Sequence, residues 1–274
     1  MDGSGIIRFT RYLDHLEQLN AANQTVTSLH IASYLATNLM TPHKDSTIQM
    51  KEIYPSIPKI EHLKLNTIGT FRRLLEGESH LAKMSIPYLL LLHHESLEDL
   101  NSYVNKEERP NRGEKFGLLH KKFQDKHSQK FSEVLVQTLE IITAMRNILV
   151  HNGGVIREDL VVAVMKAGEE TKLRWLKYAK KELHTLLNED KLVFDLNLTI
   201  LTFATCRSLL REANLMFSSC VSRERWLEIL KEDLLREHPK IQNLPNALRK
   251  SSGFARKNYA PLKFTSREIE KILN

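Results

Sequence analysis

Apolar side chains recur every three or four positions along most of this chain, which is the period of an α-helix. In residues 7–40, Phe9, Leu13, Leu16 and Leu19 form one such series, and Leu29, Ile31, Tyr34, Leu35 and Leu39 form a second. The pattern slips between residues 20 and 24, which predicts a helical hairpin or a kinked helix. Thr41-Pro42 should end it, because proline disfavours helix in the residue before it. Pro42, Pro55 and Pro58 then mark a connection with little regular structure, up to about residue 65.

Two helices are expected over 67–83 and 87–105, with Pro87 in a first turn, where its missing N–H is tolerated. The strongest periodicity lies in 132–151. There Leu135, Leu139, Ile142, Met145 and Leu149 make one apolar stripe, and Asn152-Gly153-Gly154 follows with residues that accept the left-handed conformation at helix ends. Residues 160–165 fit a strand or a helical turn, 171–187 an amphipathic basic helix, and 191–196 a short strand by alternation. Helices at 199–217 and 226–238 follow. The expected fold is all-α: a helical bundle with extra N- and C-terminal helical segments and at most a short strand or hairpin. Its expected divisions are an N-terminal hairpin and connection (1–65), the bundle (66–222) and a basic C-terminal helical segment (223–274).

At 274 residues the chain can bury one large core or two small ones. Its 42% hydrophobic content comes in short periodic runs, which argues against disorder. The longest apolar run, 86–92, is too short to cross a bilayer, and residues 1–11 lack the apolar core of a signal peptide. The expectation is a cytoplasmic protein with no membrane partner. Cys206 and Cys220 form neither a disulfide framework nor a zinc pattern, and two buried thiols on one helix are expected.

A net charge of +7 and a pI near 9.3 favour an anionic partner, nucleic acid foremost. The cations concentrate in two stretches. Residues 106–130 include Lys121, Lys122 and Lys126. Residues 240–267 hold Lys240, Arg249, Lys250, Arg256, Lys257, Lys263 and Arg267 with no acid. Phe254, Tyr259 and Phe264 interleave this second stretch, which suits stacking on unpaired bases and equally suits packing. Lys121, Lys122, Lys126, Lys250, Arg256 and Lys257 are the candidate RNA-binding residues.

Candidate chemistry converges on the end of the most periodic helix, at Arg146-Asn147-Ile148-Leu149-Val150-His151-Asn152-Gly153-Gly154. The bare spacing of arginine and histidine is weak, and Arg8 with His15 and Arg73 with His80 match it too. What distinguishes Arg146 is the asparagine after it, the long apolar helix before it and Asn-Gly-Gly beyond the histidine. Positions 147 and 151 share a helical face, whereas 146 is rotated about 140° from 151.

This run resembles the signature of the HEPN superfamily (higher eukaryotes and prokaryotes nucleotide-binding), in its RNase form with an Arg-Asn-x-x-x-His motif. The resemblance covers about 87–217 and is specific around the motif. It implies a HEPN-like bundle that dimerises with two motifs facing one cleft, and an endoribonuclease in a toxin or phage-defence setting. An inhibitor or antitoxin protein would be a further partner. Some members of the superfamily bind without cutting, so a non-catalytic module binding RNA, a nucleotide or a protein is the alternative.

The chemistry can be derived from the residues. A neighbouring 2′-hydroxyl can attack the phosphorus without a metal if protein groups move protons and stabilise charge. Histidine titrates near neutrality, which suits His151 to acid or base duty. Arginine presents a permanent planar charge matched to phosphate oxygens, and Asn147 can orient its neighbours. No cofactor or metal is expected. His93-His94-Glu95 lacks a metal-ligand spacing and reads as a solvated or capping cluster. His120 and His127 read as surface histidines, and Tyr88 with the leucines to Leu92 as core.

Overall fold

The computed structural model describes residues 5–106, 120, 121, 123–125, 129–152, 155–188, 192–241 and 246–273. All regular structure among them is helical, as the periodicity predicts, and the nearest thing to strand pairing is an isolated antiparallel bridge between Gln49 and Asn66.

Helix α1 (Thr10–Met40) runs unbroken through residues 20–24, so the expected hairpin or kink is absent. The segment holds neither glycine nor proline. The buried line of Tyr12, Leu19, Ala22, Val26 and His30 continues through the slip, and the second apolar series, Leu29, Ile31, Tyr34, Leu35 and Leu39, is exposed instead. A short helix α2 (Met50–Ile53) and a 3-10 turn lie in the proline-containing connection. That connection closes on a small core of its own, in which Met40, Met50 and Ile60 are packed by Tyr54, Leu65, Phe71 and Leu74.

Helix α3 (Thr67–Leu75) is capped by Asn66, whose Oδ1 accepts from the Gly69 amide at 2.8 Å. Helix α4 (Gly77–Asn105) then runs straight through the expected break, with Pro87 inside it. An internal proline forfeits one backbone bond, and the length of α4 on either side outweighs that loss. The chain breaks instead at Glu76. Beside it Gly77 packs so closely on α1 that a Cβ there would lie 2.5 Å from Ser33 Oγ.

Helix α5 (Glu133–Asn152) matches the expected motif helix. Leu135, Leu139, Ile142 and Met145 are buried as predicted, while Ile148 takes the place assigned to Leu149. Among the described residues this is the one helix long and apolar enough to cross a membrane by length and composition, with a mean hydropathy of 1.2; the core helix of a soluble protein passes the same test. Helix α6 (Glu158–Lys166) settles the ambiguity at 160–165 as helix. Helix α7 (Glu169–Ala179) stops well short of residue 187, because Lys180 turns left-handed and a 3-10 segment follows. Residues 192–195 do alternate, with Leu192 and Phe194 buried and Val193 exposed, but no neighbour pairs with them to make a strand. Helices α8 (Leu196–Cys220), α9 (Arg223–Glu237), α10 (Ala247–Asn258) and α11 (Ser266–Leu273) complete the chain.

The helices belong to two compact units. The first comprises Met1–Asn20, Leu90–Thr143 and Ala204–Asn274, and the second Ala21–Leu89 and Ala144–Phe203. Aromatic rings form much of the first core: Phe9 meets Trp226 edge-on at 5.4 Å, and Trp226 meets Tyr259 at 6.4 Å. Buried polar groups pin this unit. The Asn214 amide accepts from the Ile7 N–H at 2.9 Å and donates to its carbonyl at 2.8 Å. Asp233 accepts from the Thr10 amide at 2.8 Å and from the Tyr259 hydroxyl, and burial raises its carboxyl above the usual carboxylate range. Arg225 donates to the carbonyls of Tyr103 and Val104 at the end of α4, where a cation also complements the helix dipole.

Candidate functional site

Arg146, Asn147 and His151 all lie on the last two turns of α5, within the second unit. The buried neighbours Met145 and Ile148 hold this end of the helix in the core and leave the three polar side chains outward. Arg146 and Asn147 are half-buried, and Arg146 Nη1 donates to Asn147 Oδ1 at 3.0 Å. That bond steadies the guanidinium and leaves its other nitrogens to meet an anion. His151 is exposed to solvent one turn beyond Asn147. The three residues form one polar patch, but the helix turns Arg146 and His151 partly away from each other, as their spacing requires.

The proposed RNA-binding lysines divide. Lys122 and Lys126 lie outside the described residues, as does His127. Lys121 is exposed, and so are Lys250, Arg256 and Lys257 on α10. These residues belong to the first unit, not to the unit that holds the motif. On α10 the exposed Arg249, Lys250, Arg256 and Lys257 fall within about a third of the helical circumference. Gly253 lies in the middle of that arc, where a Cβ would meet nothing within 4 Å, so the backbone there is open to an approaching phosphate. Among the described residues none of the four cations is in an ion pair.

The aromatic residues of this tail serve packing. Tyr259 is buried with its hydroxyl on Asp233, Phe254 and Phe264 flank it at 6.3 and 6.1 Å, and the Arg223 guanidinium lies 5.0 Å over the Phe264 ring. Base stacking by Tyr259 is thereby excluded in this conformation.

The sequence misplaces several other polar groups. His93 is not solvated and His120 is not on the surface. Both are buried, their rings are stacked at 20°, and their Nε2 atoms are 3.0 Å apart. One must donate and the other accept. Burial, and then the neighbouring His120 and His94, hold the His93 imidazole well below its usual range. Phe131 meets His120 edge-on at 5.2 Å. The available signal was apolar: leucines precede His93, and Phe123 and Phe131 follow His120. Asp99 also went unremarked. Its carboxylate takes Arg11 in two-point fashion at 2.6 and 2.7 Å and His15 Nε2 at 2.7 Å. Tyr88 and Leu91, expected in the core, are exposed, while Leu89 and Leu90 are buried and Leu92 is half-buried. Of the two thiols Cys206 is buried and pushed up to about 12 by desolvation, whereas Cys220 is exposed.

Among the described residues no group of three or more His, Cys, Asp or Glu side chains is placed to hold a metal ion. Comparison with protein-family models, with curated proteins and with solved structures gives no match to this chain.

Proposed function

We propose that this chain is a metal-independent endoribonuclease of the HEPN type, cleaving single-stranded or loop RNA at Arg146, Asn147 and His151. The observation that carries it is the polar patch at the end of α5, where a guanidinium is held by the adjacent amide and an imidazole stands exposed one turn away. His151 takes the proton from a ribose 2′-hydroxyl. The O2′ then bonds to phosphorus as the phosphorus–O5′ bond breaks, and O5′ takes a proton from water as it leaves. Arg146 stabilises the charge gathering on the phosphoryl oxygens. The products are a 2′,3′-cyclic phosphate and a 5′-hydroxyl, and DNA, without a 2′-hydroxyl, resists. The α10 cations supply affinity for the RNA backbone.

Because one helix turns Arg146 and His151 apart, the reading calls for a second copy of the chain that completes the site with its own motif. A cytoplasmic toxin or phage-defence effector restrained by an inhibitor protein is the setting the resemblance to such enzymes implies. The same divergence favours the second reading, a non-catalytic module that holds RNA, a nucleotide or a protein on these polar and cationic faces.

Incubating the full chain with single-stranded RNA and with DNA of the same sequence, in excess EDTA, separates the two. Cleavage of RNA alone, leaving cyclic-phosphate ends, is the expected result. Intact RNA, or cleavage that needs added magnesium or manganese, would overturn the proposal.

A further inference from the structure

Like charges one turn apart on a helix repel, and an acid three or four positions away relieves them. Helix α8 carries Arg207 and Arg211 four positions apart, with no acid three or four positions from either. Arg207 is exposed and Arg211 half-buried. Among the described residues neither guanidinium has an ion pair or a side-chain hydrogen bond.

What the two share is Tyr12. The start of the chain runs antiparallel to α8 within the first unit. Gly5 lies against Leu215, where a Cβ would come 2.9 Å from Leu215 Cδ2, and Ile7 is held at both backbone groups by Asn214. Tyr12 then comes beside the preceding turns of α8, where the charges of Arg211 and Arg207 act on its hydroxyl. The residue is 4% exposed and its ring packs on Phe9 at 5.9 Å. Its hydroxyl nevertheless makes no hydrogen bond to the described residues and is not sealed from solvent. Burial raises it above the ordinary 10 and the two guanidiniums oppose that rise, so near pH 7 it stays protonated and able to donate.

We propose that Arg207, Arg211 and Tyr12 form a binding site for a phosphate dianion, either inorganic phosphate or a terminal phosphate monoester. Three features select this ligand. On adjacent turns the two Cβ atoms are about 5–6 Å apart, so both planar forks can close on one tetrahedral group. Two permanent positive charges balance a monoester's charge of about −2, whereas a phosphodiester or a carboxylate brings half of that. The phenol adds a neutral donor for a third oxygen. A bound dianion also relieves the repulsion between the arginines. The site holds neither the motif residues of α5 nor the cations of α10, and the inference does not rest on the cleavage reading.

Phosphorus NMR titration and thermal unfolding of the full chain, at constant ionic strength, test this with inorganic phosphate, phenyl phosphate and dimethyl phosphate. Saturable binding of the dianion and a raised unfolding midpoint are expected, with the monoanionic dimethyl phosphate without effect. Arg207→Gln and Arg211→Gln should each weaken binding roughly tenfold or more, since each removes a charged donor. Tyr12→Phe keeps the packed ring and should weaken it about 2- to 10-fold. Lys51→Gln, which removes an exposed charge in the other unit, should leave it unchanged. The side chain of Arg207 is exposed, so its replacement leaves the core intact and keeps that comparison decisive. Binding of phenyl phosphate as well as of inorganic phosphate would identify a terminal phosphate as the ligand, and binding of inorganic phosphate alone the free ion. A parent that binds neither, equal binding of dimethyl phosphate, or Arg207→Gln no weaker than Lys51→Gln would overturn the site.

Discussion

The two compact units differ in what they do with large apolar side chains. In the first unit only Leu91, Leu215 and Leu248 are left exposed among the described residues. In the second many more are exposed, among them Tyr34, Met84, Met165 and Leu173. The first unit instead spends its polar groups inside. Asp99, Asp233, Asn214 and the His93–His120 pair are all buried and hydrogen-bonded. Buried, satisfied polar groups fix one arrangement of a core, while exposed apolar faces leave surface for a partner. The residues of the proposed chemistry lie in the second unit. The difference is that between a unit built to be rigid and a unit built to be covered.

The sharpest way to break this contrast is to remove a buried pin. Asn214→Leu deletes both bonds to Ile7 and leaves its N–H and C=O buried without partners. Each such orphan costs about 1–3 kcal/mol, so a loss of roughly 4 kcal/mol is expected in denaturant unfolding, with faster hydrogen exchange in the first unit. A change under about 1 kcal/mol would mean that the pin does not hold that unit.

Tyr259→Phe should follow at about 1–2 kcal/mol, since it removes the hydroxyl that Asp233 accepts and keeps the ring packed on Trp226. An unchanged midpoint would show that water replaces the hydroxyl. By contrast Leu173→Gln in the second unit should change stability by less than about 0.5 kcal/mol, because that side chain already faces solvent. A large loss there would show that the exposed face is packed in solution.

Acid sharpens the same comparison. His93 is held well below its usual 6.5 in the folded chain, so the unfolded chain takes up a proton near pH 6.5 that the folded chain refuses. Its contribution is therefore complete above pH 6.5 and is lost as pH falls below it, by up to about 1 kcal/mol per pH unit. His30 in the second unit is also lowered by burial and adds the same sign. Thermal unfolding at pH 7.5 and 5.5 reads this. His93→Gln, which keeps a donor for His120, should flatten the dependence, and an equal slope in parent and variant would remove the pair as its source.

How much of this was legible follows from which forces are local. The helices were, because a 3.6-residue apolar period is written into the sequence wherever one face is buried, as in α5. The unbroken α1 was not: its slip at residues 20–24 looks like a break, but one buried line continues through it and the second apolar series faces solvent. Pro87 misled because a long helix tolerates one lost bond, and the interruption falls earlier, at Glu76. Alternation at 192–195 predicted burial correctly and strand wrongly, as pairing needs a second segment that the alternation does not contain. At the candidate site, the outward placement of Arg146, Asn147 and His151 was readable from the stripe on the other side of α5. The burial of His93, His120 and Tyr259 was not, because each depends on a partner more than twenty residues away in sequence.

The central claim is that Arg146 and His151 carry out RNA cleavage, and single-turnover cleavage of a labelled single-stranded RNA in EDTA, by parent, His151→Ala and Arg146→Ala chains, tests it most directly. The side chain of His151 is exposed at a helix end, so its removal should leave folding intact. A proton-transfer group contributes about 100- to 10,000-fold in rate, and His151→Ala should slow cleavage by that order, with Arg146→Ala comparably slow and both proteins still binding RNA. Cleavage at the parent rate by purified His151→Ala protein would contradict the account.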